Sequence, residues 1–137
     1  MDIMSSIILI ILSYLYGSIP FALVIGRLVY KTDVRNYGSG NLGGTNTGRV
    51  LGKKAGVAVI LLDASKALLV MLLTSYLCSL LKMNNDLAYI CALACVIGHC
   101  YPVFANFKGG KAVSTEIGFF MAVNPIGAVL ALVVFFI

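Results

Sequence analysis

The chain has 137 residues, of which 61% are hydrophobic and 11% are charged, with a mean hydropathy of +1.02 and a net charge of +5 at pH 7. Soluble domains carry about 25% charged residues, so this composition excludes an ordinary soluble globular domain. It also argues against a nucleic-acid partner, because no soluble basic face remains to bind one. The composition predicts an integral membrane protein.

Four apolar segments are long enough to cross a bilayer, which takes about 20 residues per helix. They cover residues 3–26, 55–81, 87–107 and 117–137. We therefore predict an all-α, polytopic transmembrane helical bundle of about four spans, forming one membrane-embedded domain over residues 1–137. The last apolar run reaches the end of the chain without a charged or aromatic anchor beyond it. This predicts that the chain is a C-terminally truncated piece of a longer protein.

The loop between the first two spans carries a run of glycines and small polar residues, GSGNLGGTN at 38–46, followed by Arg49. Glycine accepts positive φ angles, which allow successive backbone N–H groups to turn inward and form an anion site. The predicted phosphate-binding residues here are Ser39, Gly40, Asn41, Gly43, Gly44, Thr45 and Arg49, with Asn46 as a further donor. A dinucleotide site is excluded, because the preceding segment is a membrane helix where that motif needs a strand. An ordinary flexible loop remains the alternative.

A second loop repeats the combination of glycine and cation. Lys108 and Lys111 bracket Gly109-Gly110, a pattern that suits phosphate charge neutralisation. Anchoring of the helix end by positive charge is the alternative. His99 precedes this loop and is either a packed, hydrogen-bonded residue or part of the site.

Basic residues also predict the orientation in the membrane. Eight of the ten lie on one side of the alternating topology, namely Arg27, Lys31, Arg35, Arg49, Lys53, Lys54, Lys108 and Lys111. The opposite side holds only Lys82, and Lys66 lies inside a span. By the positive-inside rule, both glycine loops face the cytoplasm and the N-terminus lies outside.

Two ionisable residues, Asp63 and Lys66, lie one turn apart inside the second span. Each charge costs roughly 2.5–3.5 kcal/mol in the membrane on insertion scales, so both should face the protein interior and be paired. They form either a structural ion pair or a supporting pair, in which Asp63 orients a loop cation and Lys66 adds positive potential to the site.

Cys91, Cys95 and His99 share one face of the third span, at a spacing that a metal site could use. Buried cysteines usually behave as small hydrophobic residues, and no carboxylate or second histidine joins these three. We therefore predict no metal.

The motifs resemble those of the bacterial acyl-phosphate:glycerol-3-phosphate acyltransferases of the PlsY type. The resemblance extends from the first span to Thr115 and rests on both loops, on Asp63 with Lys66, and on Gly98-His99 with Pro102. Gly44 and Ala112 stand where the family usually has alanine and glycine, respectively. Members have seven spans, so this chain would lack the C-terminal ones.

The resemblance implies an enzyme of phospholipid synthesis in the bacterial plasma (inner) membrane. It would transfer a fatty acyl group from acyl phosphate to the 1-hydroxyl of sn-glycerol 3-phosphate, giving lysophosphatidic acid, without a cofactor. The catalytic residues would be Ser39, Asn46, Arg49, His99 and Lys111, with Asp63 and Lys66 supporting them. No protein base is expected, since the phosphate of glycerol 3-phosphate would take the proton.

Two alternatives remain open from the residues. A transporter or binding protein for phosphorylated small molecules would use the same loops and would use Asp63 with Lys66 as a coupling pair. Transporters of this kind usually contain inverted repeats, and the sequence contains none that we detect. An inactive fragment of the enzyme is the second alternative.

Overall fold

A computed structural model describes residues 3–136, and no strand occurs in that range. The α-helices are α1 (Ile3–Gly17), α2 (Phe21–Leu28), α3 (Gly44–Leu51), α4 (Lys53–Leu80), α5 (Asp86–Cys100), α6 (Val113–Val123) and α7 (Pro125–Phe136). Two short 3₁₀ turns cover Val34–Asn36 and Val103–Ala105. The predicted all-α class is confirmed.

The number of uninterrupted spans differs from the prediction. Within the described residues, α4 and α5 are long and apolar enough to cross a membrane, and α1 with α2 makes a third span only if the pair, bent by 43°, is counted as one. The predicted fourth span divides into α6 and α7 at Pro125, which cannot continue a helix because it lacks an N–H group. Ile137, the last residue predicted for that span, lies outside the described range.

Helix α4 is central and contacts α1, α2, α3, α5 and α6. Glycines let the backbones approach closely: a Cβ on Gly118 of α6 would collide with the backbone of Ala64 in α4, and one on Gly17 of α1 would collide with Cys95 in α5. Close packing through small residues is a principal source of helix association in membranes, where lipid removes the hydrophobic driving force. These contacts fix α4, α5 and α6 around the site described below.

The segment leading into the glycine loop is held by an ion-pair cluster. Asp33 lies 2.7 Å from Nη2 of both Arg27 and Arg35, and its Oδ1 accepts the Arg35 backbone N–H at 3.0 Å. The Arg35 side-chain hydrogen bond holds the pKa of Asp33 well below its usual range. Gly38 and Gly40 follow with φ angles of +59° and +68°, a left-handed backbone that glycine adopts without strain.

Ala112, at the start of α6, is buried and has a left-handed backbone with φ +58° and ψ +8°. Left-handed geometry costs an L-residue about 1–2 kcal/mol, whereas glycine adopts it freely. We expect Ala112→Gly to raise the free energy of unfolding by about 0.5–1 kcal/mol, after the greater entropy of the unfolded glycine chain is subtracted. Thermal unfolding in detergent measures this change.

The matched control is Ala131→Gly in α7, where the same chemical change falls inside a regular helix at an exposed position. Glycine there should lower stability by roughly 0.5–1 kcal/mol. A loss of stability in both variants would contradict the strain assigned to Ala112.

Candidate functional site

A cavity of about 250 Å³ opens between the glycine loop, the N-terminus of α3, the middle of α4, the end of α5 and the start of α6. Ten of the predicted site residues line it: Ser39, Asn41, Gly43, Gly44, Thr45, Asn46, Arg49, Asp63, His99 and Lys111. The remaining lining residues, Ala112, Val113 and Ser114, were not predicted. The fold thus brings the two loops together at one cavity, although they are far apart in the sequence.

Arg49 and Lys111 supply the unpaired positive charge of the cavity. Both side chains belong to exposed residues, and neither forms a salt bridge with any residue in the described part of the chain. Arg27 and Arg35 are paired with Asp33, and Lys66 is paired with Asp63. Arg49 and Lys111 are therefore free to bind an anionic ligand.

The N-terminal turn of α3 forms one wall of the cavity. Its N-cap residue is Gly43, and no side chain caps this end of the helix. The first N–H groups of an α-helix have no partner within the helix and carry the positive end of its dipole, which favours a bound anion. Ser39 and Thr45 are exposed beside this turn, and neither hydroxyl has a hydrogen-bond partner within residues 3–136.

Asn46 lines the cavity, yet its amide is fully used inside the protein. Its Oδ1 accepts the Ser39 N–H at 2.9 Å, and the two hydrogens of its Nδ2 are shared among the carbonyls of Val34, Asn41 and Tyr37 at 3.1, 3.2 and 3.3 Å. The residue is 2% exposed. These contacts make Asn46 a residue that positions the glycine loop, and its predicted catalytic role stays a prediction.

The second glycine loop has a different role from the one predicted for its glycines. The N–H groups of Gly109 and Gly110 donate to the carbonyls of Cys100 and His99 at 3.1 and 3.2 Å, so they are not available to phosphate. Gly109, Gly110 and Lys108 do not line the cavity, and Lys108 is exposed to the outside of this loop.

The glycines are needed for packing, because a Cβ on Gly110 would collide with Nε2 of His99. Gly40 in the first loop is likewise outside the cavity lining, and its N–H donates to the Tyr37 carbonyl at 3.0 Å. A glycine run in a sequence does not distinguish a ligand-binding turn from a close packing contact.

Asp63 and Lys66 form a buried ion pair with 2.9 Å between Oδ1 and Nζ. Asp63 reaches the cavity wall, whereas Lys66 lies behind it and is completely buried. Nζ of Lys66 donates to the carbonyls of Gly17 and Ile19, at 3.3 and 2.5 Å, where the first span breaks between α1 and α2. The pair therefore joins α4 to the break between α1 and α2. Among the described residues, Asp63 forms no salt bridge with a cation of either loop.

Cys91 and Cys95 are buried in an apolar cluster with Ala67, Val70 and Cys78. Their side chains contribute to packing between α4 and α5, as expected for small hydrophobic residues. Within the described residues no three His, Cys, Asp or Glu side chains come together as a metal site would require.

The chain is similar to known proteins in both sequence and fold. The sequence profile of the family described as glycerol-3-phosphate acyltransferase matches residues 7–137. "Glycerol-3-phosphate acyltransferase 2" of Bacillus anthracis is 48% identical over 130 residues, covering 95% of this chain and 66% of that protein. The glycerol-3-phosphate acyltransferase of Macrococcus caseolyticus is 44% identical over 130 residues, covering 94% of this chain and 64% of that protein.

Two crystal structures of PlsY, an integral membrane glycerol 3-phosphate acyltransferase, share the fold. The glycerol 3-phosphate form superposes with a TM-score of 0.84 at 43% identity, and the lysophosphatidic acid form with a TM-score of 0.82 at 41% identity. Each alignment covers 94% of this chain and 62% of the PlsY chain. The chain thus spans slightly less than two thirds of the length of these relatives. By profile, sequence identity and fold, it belongs to the glycerol-3-phosphate acyltransferase family.

Proposed function

We propose that this chain forms the phosphate-binding part of an acyltransferase that moves a fatty acyl group from acyl phosphate to the 1-hydroxyl of sn-glycerol 3-phosphate. The observation that carries the proposal is the cavity that combines Arg49, Lys111 and the uncapped N-terminus of α3. Two unpaired cations beside helix N–H groups suit phosphate monoesters, because charge-assisted hydrogen bonds to phosphate are about twice as strong as neutral ones.

The ligands of the similar structures support this choice of substrates. PlsY was crystallised in a glycerol 3-phosphate form and in a lysophosphatidic acid form, which are an acyl acceptor and its acylated product. Acyl phosphate as the donor follows from the resemblance in the sequence motifs, and its phosphate would use the same cationic cavity.

The proposed reaction needs positioning and charge neutralisation more than covalent chemistry from the protein. The 1-hydroxyl oxygen attacks the carbonyl carbon of acyl phosphate, a new ester C–O bond forms, and the bond from that carbon to the phosphate oxygen breaks. Arg49 and Lys111 hold the phosphates, and the Ser39 hydroxyl donates to one of them. The hydroxyl proton passes to a substrate phosphate, so lysophosphatidic acid and inorganic phosphate leave without a protein base.

The location of the site also follows from the substrates. An acyl chain has to stay in the bilayer while its phosphate reaches the polar loops, so the cavity belongs at the membrane surface. The concentration of basic residues on the loop side favours the cytoplasmic face of the bacterial inner membrane.

The decisive assay uses labelled glycerol 3-phosphate with nanodisc-reconstituted protein. We would compare the 137-residue chain with a chimera that adds the part of the Bacillus anthracis relative outside the alignment, and we would offer acyl phosphate or acyl-CoA to each protein. Labelled lysophosphatidic acid from acyl phosphate alone is expected with the chimera. Uptake of label by sealed proteoliposomes made from the same protein, without acylation, would indicate a transporter. Turnover with acyl-CoA alone would refute acyl phosphate as the donor.

Substitutions at the two lysines of the second loop can be compared in the chimera by their effect on kcat/KM. Lys111 lines the cavity and Lys108 does not. We expect Lys111→Ala to lower kcat/KM roughly ten- to a hundredfold, the effect of losing one charge-assisted contact of about 1.5–3 kcal/mol. Lys111→Arg should retain more activity, and Lys108→Ala should lose far less than Lys111→Ala. Equal losses from Lys108→Ala and Lys111→Ala would instead indicate a general electrostatic effect of the loop.

A further inference from the structure

His99 is the single histidine of the chain and lies at the wall of the cavity, 7% exposed. Its Nδ1 faces the buried ion pair, 3.4 Å from Nζ of Lys66 and 3.5 Å from Oδ1 of Asp63. Its Nε2 lies on the opposite edge of the ring, against Gly110, and has no hydrogen-bond partner in the described part of the chain. The two ring nitrogens therefore have different roles.

The hydrogen bonds of Lys66 decide which nitrogen carries the proton. An ammonium group has three N–H donors and no acceptor. Three atoms meet Nζ with hydrogen-bond geometry: the carbonyl oxygens of Gly17 and Ile19, and Nδ1 of His99, which can accept only while it carries no hydrogen. Asp63 Oδ1 contacts Nζ as an ion but has no aligned hydrogen bond with any described residue.

We propose that Lys66 fixes His99 as the neutral tautomer with hydrogen on Nε2, so that His99 presents a hydrogen-bond donor, and not a base, to a phosphate in the cavity. Lys66 is thus a positioning residue that acts through His99. A proton on Nδ1 would face the Lys66 ammonium, leaving two donors opposed at 3.4 Å. The identity of the phosphate rests on the proposed function, whereas the tautomer does not.

This assignment changes the chemistry available at the cavity. With Nδ1 occupied and Nε2 protonated, the imidazole has no free lone pair to take a proton from a hydroxyl. The other charged groups at the cavity wall are Asp63, Arg49 and Lys111. His99 Nε2–H would add a neutral donor to the two cations, and the hydroxyl proton would have to leave on a phosphate oxygen.

The test is a ¹⁵N NMR measurement on nanodisc-reconstituted chain labelled at histidine and purified with a tag that contains no histidine. A single histidine gives one pair of ring signals, and couplings to the ring protons identify each nitrogen. We expect a protonated Nε2 and an unprotonated Nδ1 at pH 7. A protonated Nδ1, in either the other neutral tautomer or the imidazolium, would overturn the proposal.

Variants separate the contributions of the two charged partners. Asp63→Asn keeps Lys66, so the proton should stay on Nε2; its transfer to Nδ1 would overturn the assignment. The double variant Asp63→Leu/Lys66→Met removes both charges and should give a mixture of the two neutral tautomers. If the double variant showed only the tautomer with hydrogen on Nε2, Lys66 would not determine the tautomer and the proposal would be wrong. If the double variant does not fold, Asp63→Asn provides the test.

A ligand titration connects the tautomer with the cavity. Adding glycerol 3-phosphate, and separately inorganic phosphate, should shift the Nε2 signal and leave Nδ1 nearly unchanged. Arg49→Ala should weaken the apparent affinity roughly tenfold or more without changing the tautomer of the free protein. If saturating phosphate did not shift the Nε2 signal, His99 would not donate a hydrogen bond to phosphate and the proposal would be wrong. Because the tautomer is measured without turnover, a failed acyl-transfer assay would leave this result intact.

Discussion

Arg49→Ala is expected to lower kcat/KM for acyl transfer roughly ten- to a hundredfold in the completed protein, because a charge-assisted phosphate contact of about 1.5–3 kcal/mol is lost. Arg49 is exposed, lines the cavity and has no carboxylate partner among the described residues, so its removal should not disturb the fold. Arg49→Lys should recover only part of the loss, since lysine keeps the charge but cannot donate two parallel hydrogen bonds to phosphate.

Steady-state kinetics with both substrates varied would measure this effect. Lys54→Ala is the matched control, because Lys54 is an exposed cation near the same helix boundary and does not line the cavity. If neither Arg49→Ala nor Lys54→Ala changed kcat/KM, Arg49 would not belong to the site. In that case the basic residues of this loop would serve only to orient the protein in the membrane.

Lys66→Met is expected to lower the free energy of unfolding by about 3–5 kcal/mol, the typical effect of removing one partner from a buried ion pair. Asp63 would be left inside the protein without its cationic partner, and the Gly17 and Ile19 carbonyls at the α1–α2 break would lose their donor. Unpartnered polar groups are expensive at membrane depth, so the bend of the first span should loosen as well.

Adding Asp63→Leu to Lys66→Met should restore a large part of that stability, because the uncompensated carboxylate disappears. Reversible unfolding in mixed micelles, followed by circular dichroism, compares the two variants. Lys82→Met, at an exposed lysine beyond α4, serves as the control and should be nearly silent. If Lys66→Met lowered the free energy of unfolding no more than Lys82→Met, the ion pair and the carbonyl contacts would not stabilise the fold.

The loops around the cavity show how much of the site could be predicted. Glycine beside cations at 38–49 and 108–111 predicted a phosphate site, and ten of the predicted residues line one cavity. The positive φ angles at Gly38 and Gly40 were also predictable, because this geometry is what glycine runs permit. These features depend on residue type and local spacing, which a sequence displays directly.

The hydrogen-bond partners of the site residues could not be predicted from the sequence. Asn46 was predicted to donate to a ligand, but its amide is hydrogen-bonded to four backbone groups. The N–H groups of Gly109 and Gly110 donate to carbonyls at the end of α5. Which donor is left free for a ligand depends on where distant backbone segments lie. Lys66 is the clearest case, since its carbonyl partners are 47 and 49 residues away.

The sequence by itself determined the membrane class and the helical composition, and it predicted a phosphate site, because hydropathy, glycine and charge are properties of the residues. The tertiary structure decided the close glycine contacts around α4 and the selection of Arg49 and Lys111 as the free cations of the cavity. It also placed His99 between Lys66 and Gly110. The physical reason is that buried polar groups must be satisfied by whichever neighbours the packing supplies, and packing is a property of the whole fold.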